Sequence, residues 1–178
     1  MGELTIRRAR ADDAAAIAAL YAPFVATSQA TFEEVPPDAA EVARRISGRE
    51  IDYPWLVADE DGRLLGYASS NCFRQRSAYR WAVETGVYVA EAAQRRGVAR
   101  ALMAGLIDAL VEAGFVAAIA SISLPNAASA GLHEALGYAL AGRIKAPGYK
   151  LGEWVDIGYW QRDLAERMVP PREPGALL

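Results

Sequence analysis

The stretch from Ala82 to Leu124 constrains the fold more than any other part of the chain. It reads as a strand, Ala82–Val89, then a glycine turn at Gln94-Arg95-Arg96-Gly97, a long helix from about Gly97 to Ala113, and an apolar strand, Val116–Leu124. Val98, Leu102, Leu106, Ala109 and Leu110 recur at helical spacing and form one stripe that must be buried. Gly114 stands where a helix-terminating glycine belongs. A strand, a helix and a second strand in this order form a crossover unit, and such crossovers are right-handed. The helix N-terminus that follows the turn exposes free backbone N–H groups and the positive end of the helix dipole.

The flanking segments add strands and helices on either side. Leu4–Arg8 reads as a first strand, and Asp12 or Asp13 can cap a helix carrying Ile17, Leu20, Tyr21 and Phe24. Thr27–Pro37 is a loop containing Phe32, and Asp38–Ile51 a second helix with Val42 and Ile46 inward. Trp55–Asp59 and Leu64–Phe73 are strands joined by Glu60-Asp61-Gly62-Arg63, where Asp-Gly between apolar runs signals a hairpin. Pro125-Asn126 opens a short helix ending near Gly137, and strands around Tyr138–Ile144 and Val155–Leu164 follow. The expected class is α+β: a mixed, mostly antiparallel twisted sheet flanked by helices around a central β-α-β unit. Residues 1–169 form one domain, and 170–178 a Pro-rich tail that is mobile or lies on the surface.

Composition narrows the function. The chain has 178 residues, with Lys+Arg 19 against Asp+Glu 22, a formal charge of −3. This balance argues against nucleic acid or anionic membranes as partners. No apolar run is long enough to span a bilayer, and the N-terminus has no signal-peptide core. One cysteine, Cys72, excludes an intrachain disulfide, and with one histidine it cannot build a Cys/His zinc site. A cytoplasmic protein without a metal is the expectation.

The glycine turn suits a phosphate, because small residues let an anion approach the helix amides while Arg95, Arg96 and Arg100 add charge. It is neither a P-loop nor a dinucleotide fingerprint, since no Lys-Ser/Thr follows the glycine and G-x-G-x-x-G is missing.

Val87-Tyr88-Val89 followed by Gln94-x-x-Gly97-x-Ala99 resembles the acetyl-CoA motif of the GCN5-related N-acetyltransferases. Asn126 and the block His133-Glu134-Ala135-Leu136-Gly137-Tyr138 resemble the second half of that fold. Tyr53-Pro54-Trp55, Ala78-Tyr79-Arg80-Trp81, Glu84-x-x-Val87-Tyr88-Val89 and Gly152-x-Trp154-x-Asp156-x-Gly158-x-Trp160-Gln161 are similar to the phosphinothricin and methionine sulfoximine acetyltransferases. The resemblance runs from Leu4 to about Leu164, with Ala99 in place of the usual second Gly and Glu91 in place of a usual Pro.

The resemblance implies acetyl transfer from acetyl-CoA to the primary amine of an amino-acid-like substrate such as phosphinothricin, methionine sulfoximine or methionine sulfone. It implies that Val87, Tyr88 and Val89 hold the pantetheine arm. Arg95, Arg96, Gly97, Val98, Ala99 and Arg100 would hold the pyrophosphate, and Asn126 would contact the arm or simply cap its helix. A strand N–H would stabilise the oxyanion. Glu84 is the candidate base, since regular alternation puts it on one face with Gly86, which leaves room beside it. A bulge at Gly86 would break that parity, and a solvent-facing Glu is the plainer alternative. His133 could protonate sulfur, assist Glu84, or be a helix histidine bonded to backbone. Phe32, Phe73, Arg74, Gln75, Arg76 and Trp81 are the candidate substrate contacts, because guanidinium groups bind carboxylates and related oxyanions bidentately. The alternative function is a protein or peptide N-acetyltransferase. A non-catalytic acetyl-CoA sensor is a further one, disfavoured by the pairing of Glu84 with His133. A homodimer is expected from the resemblance and from Trp154, Tyr159 and Trp160 near the last strand.

Overall fold

The computed structural model describes residues 2–47 and 53–174. Its central unit is strand β4 (Ala82–Val89), helix α3 (Val98–Glu112) and strand β5 (Ala117–Leu124). Before it come β1 (Leu4–Arg8), α1 (Ala14–Thr27), α2 (Ala39–Ser47), β2 (Trp55–Glu60) and β3 (Arg63–Cys72). After it come α4 (Ala127–Ala135), β6 (Ala139–Lys150) and β7 (Glu153–Asp163). The seven strands form one sheet in the order β1-β2-β3-β4-β5-β7-β6. Among the described residues only β4 and β5 run parallel, joined through α3, while the other neighbouring strands are antiparallel. This is the mixed α+β architecture expected from the sequence.

The two faces of the sheet are covered by different helices. Val98, Leu102, Met103, Leu106 and Leu110 of α3 pack on Leu56, Ala58, Leu65, Ala68 and Val83. On the opposite face, Ile17, Tyr21 and Val25 of α1 and Val42 of α2 pack on Trp55, Val57 and Tyr67. Two-sided coverage explains why β2 and the centre of β3 are buried almost residue by residue instead of alternating.

The last hairpin departs from the expected boundaries. β6 runs on to Lys150 instead of stopping at Ile144, and β7 starts at Glu153. Beyond Ile144 the pairing with β7 continues through a register shift between Ile144 and Gly148. Ala146 takes a positive φ of 48°, and its N–H is satisfied by Asp156 Oδ1 at 2.7 Å. An irregularity closed by a side chain ten residues further along the chain, on the partner strand, leaves no local sequence signal. The second helix reaches Ser47, and its expected extension over 48–51 lies outside the described residues. In the tail, Trp81 Nε1 donates to Arg172 O at 2.7 Å and Arg80 pairs with Glu173, so 172–173 lie on the surface.

Candidate active site

The site begins where two strands part. β4 pairs with β3 without a register break from Gly66↔Val89 to Cys72↔Val83, so no bulge disturbs the alternation at Gly86. Glu84, Gly86 and Tyr88 therefore share the α1/α2 face, while Val83 enters the α3 core. On its other side β4 pairs with β5 only from Ala82↔Ala117 to Thr85↔Ala120, whereas β5 continues along β7 to Leu124. Beyond Thr85 the two strands diverge. Ala90 N–H donates to Leu65 O at 2.8 Å. Counting back by alternation, the N–H and C=O groups of Val87 and Val89 face the opening on the β5 side. They present a free strand edge to anything in the cleft.

A cavity of about 480 Å³ fills this opening and is lined by Val87, Tyr88, Val89, Asn126 and His133. Gln94, Arg95, Gly97, Val98, Ala99 and Arg100 form its end. Gly97 is the N-cap of α3 with φ 81°, and among the described residues no side chain caps the first turn. The N–H groups of Val98, Ala99 and Arg100 thus lack an intrahelical partner, as in any first turn. Arg95 also has a positive φ, 61°. Arg96 turns away and pairs with Glu60 at 2.6 Å. Asn126 Oδ1 accepts the Ser129 N–H at 3.1 Å, the capping role that Asn fills well. Free amides at one end and an open strand edge along one wall fit the anionic and amide portions of acetyl-CoA.

His133 is 2% exposed. Its Nδ1 donates to Ser129 O at 2.8 Å, because a carbonyl can only accept, while Nε2 is buried without a partner among the described residues. Burial lowers its pKa, opposed in part by the Ser129 bond. The ring is neutral at pH 7, and its single N–H is already committed.

A second cavity, about 560 Å³, opens on the α1/α2 face beside Glu84. Thr85, Gly86, Tyr88 and Ser121 line both cavities, so the two meet at the point of divergence. Glu84 faces this second cavity with no hydrogen bond or ion pair among the described residues. Arg45 also lines it, but its guanidinium is occupied: Nη1 and Nη2 bond Glu33 at 2.8 and 3.0 Å, and Nε bonds Glu41 at 2.7 Å. Those Arg45 bonds hold the Glu33 carboxyl below its ordinary pKa despite partial burial. Tyr21, whose hydroxyl bonds Thr31 and Glu33, anchors the same wall, and burial pushes its phenol upward.

The expected substrate contacts are placed differently. Phe73, Arg74, Gln75 and Arg76 lie just past β3 and line neither cavity. Arg74 lies 4.3 Å over the Phe73 ring, and both Arg74 and Arg76 are exposed. Trp81 is tied to the tail, and Phe32 packs against Gly148, where even a Cβ would collide with its ring. The sequence reading missed Arg45, Glu33, Tyr21, Ser69 and Ser121. Of these, only Ser121 carries a readable signal, as a polar break in an apolar strand.

The model of the acetyltransferase (GNAT) domain matches residues 6–158. The phosphinothricin N-acetyltransferase of Streptomyces viridochromogenes is 40% identical over 167 residues, 94% of this chain and 91% of that protein. The L-methionine sulfoximine/L-methionine sulfone acetyltransferase of Salmonella typhimurium is 34% identical over 94% of this chain and 98% of its own length. A phosphinothricin acetyltransferase from Sinorhizobium meliloti, solved with acetyl-CoA, superposes with a TM-score of 0.86 at 38% identity, over 96% of this chain and 92% of its own. A free strand edge beside open helix amides, within a domain matched over most of its length, establishes that the chain belongs to the GNAT family as an acetyl-CoA-dependent N-acetyltransferase.

Proposed function

We propose that this chain acetylates the amino group of a small amino acid of the phosphinothricin, methionine sulfoximine or methionine sulfone class, and that it works as a cytoplasmic homodimer. The observation that carries the reading is the meeting of two cavities at Gly86, with Glu84 on the amine side. The names of the relatives supply the substrate class.

Acetyl-CoA supplies the acyl group already activated as a thioester. The α3 amides and Arg95 and Arg100 hold its pyrophosphate, and the edges of Val87 and Val89 hold its arm. Glu84 removes the ammonium proton, since only the free amine is a nucleophile. A β4 N–H beyond Thr85 stabilises the developing oxyanion. Arg74 and Arg76, on the exposed loop beyond β3 and outside the cavity lining as it stands, fold in over the anionic end of the substrate when it binds, since the Arg45 guanidinium is already engaged by Glu33 and Glu41. β6 supports the dimer: it is one of the two edges of the sheet, and Leu140, Ile144, Tyr149 and Trp154 are exposed along the last hairpin. A single cysteine, and a cosubstrate made inside cells, support the cytoplasm.

Thiol release from acetyl-CoA, read across sulfoximine, sulfone and phosphinate amino acids, proteinogenic amino acids and peptides, tests this. Turnover is expected with the first group, together with a product 42 Da heavier, roughly the mass of one added acetyl group. Turnover confined to peptides would transfer the activity to protein N-termini. Binding of acetyl-CoA with no turnover would make the chain a sensor.

A further inference from the structure

Acyl transfer ends with a thiolate that needs a proton, and the structure restricts where that proton comes from. His133 has one N–H, held by the Ser129 carbonyl, and its Nε2 carries a lone pair. Four residues line both cavities: Thr85, Gly86, Tyr88 and Ser121. Thr85 Oγ1 lies 3.3 Å from Ile119 O and 3.2 Å from the Tyr138 hydroxyl. The Tyr88 hydroxyl points to Ala30 O at 3.5 Å. Gly86 has no side chain. The Ser121 hydroxyl alone among these has no bonded partner among the described residues.

Its position is also specific. Thr85↔Ala120 is the last β4–β5 pair, so Ser121 is the first β5 residue past the divergence, level with Gly86. Ala118, Ala120 and Ile122 face the α3 core, so alternation turns Ser121 to the face of Glu84. A Cβ placed on Gly86 would meet nothing closer than 3.8 Å, which leaves the space beside the hydroxyl open.

We infer that Ser121 is a catalytic residue that relays a proton from the attacking nitrogen to the departing sulfur. This rests on the acetyltransferase activity. As the N–C bond forms and the C–S bond breaks, one nitrogen proton passes to Oγ while the hydroxyl proton passes to sulfur. Ser121 is regenerated, and the products are the N-acetyl compound and CoA thiol. The proton that Glu84 removed from the ammonium leaves separately to solvent.

The test compares the wild type, Ser121→Ala and Ser121→Thr. Turnover by the wild type establishes the activity first, and its failure would sink that reading separately from this one. Ser121→Ala should then lose about 100-fold in kcat with acetyl-CoA KM nearly level, and Ser121→Thr should recover much of the loss. A second readout needs no turnover: calorimetric affinities for CoA and for desulfo-CoA, which has hydrogen in place of the thiol. Wild type should prefer CoA by about 3- to 10-fold, the range of one hydrogen bond, and Ser121→Ala should erase the preference. An unchanged preference in Ser121→Ala, no preference in the wild type, or an unchanged kcat would each overturn the assignment.

Discussion

Arg45 bonds two carboxylates through all three of its nitrogens, so its guanidinium is engaged before any anionic substrate binds. Arg76 is exposed with no carboxylate partner among the described residues, and Arg74 is stacked on Phe73. Arg74→Ala and Arg76→Ala should therefore lower kcat/KM for phosphinate or sulfoximine amino acids by roughly tenfold or more, as loss of a charged hydrogen bond would. Uncharged primary amines should lose far less, and acetyl-CoA affinity should hold. Equal losses on both substrate types would make the loop structural. His133 yields a prediction of a different kind. Burial holds its pKa below the unfolded value near 6.5, so the unfolded chain binds the extra proton first. Its contribution to stability is complete above pH 6.5 and is lost as pH falls from there through the folded pKa. Melting temperatures from pH 7.5 to 5 should fall more steeply for the wild type than for His133→Asn, and parallel curves would contradict this. Period two made the facing of Glu84 readable, because the β3–β4 ladder has no break. The Arg45–Glu33 pair was not readable, because it joins a helix to a loop through tertiary packing that no periodicity encodes.

At the scale of elements, the N-terminus of α3 sets a demanding local geometry. Gly97 adopts φ 81° with open space where a Cβ would stand, so the constraint is conformational and not steric crowding. Alanine there adds about 1–2 kcal/mol of left-handed strain or forces the turn to reorganise. Gly97→Ala should weaken acetyl-CoA binding about tenfold by calorimetry while the sheet survives, and unaltered affinity would remove the α3 amides from the phosphate site. The turn was legible because a strand, a glycine and an amphipathic helix leave few alternatives. The loop between α1 and α2 was not. It is pinned by the buried Lys150, whose Nζ donates to Thr31 O at 2.7 Å across 119 residues of chain. Nothing near Thr31 in sequence announces that partner.

For the whole molecule, the strand order was only partly foreseeable. β7 inserts between β5 and β6, so the longest hairpin leaves β6 as an edge. Of the three aromatics that suggested an interface, Trp160 is buried and donates to Glu134 at 3.0 Å, whereas Trp154 is 68% exposed beside Tyr149. Light scattering at micromolar concentration should give twice the chain mass, and Trp154→Glu should shift it toward the monomer. A monomer mass for the unaltered protein would leave the β6 edge unexplained as an interface.

The central claim is that acetyl transfer takes place where β4 and β5 part, with Glu84 as the base that frees the amine. The most direct measurement is the turnover of Glu84→Gln at saturating acetyl-CoA and amino-acid substrate, with the acetyl-CoA dissociation constant measured alongside. Glutamine keeps the shape and cannot take the proton. The account predicts that kcat near neutral pH falls about 10²–10⁴-fold, that cofactor affinity stays level, and that the loss shrinks as rising pH deprotonates the amine in solution. Turnover equal to the wild type at neutral pH would contradict it.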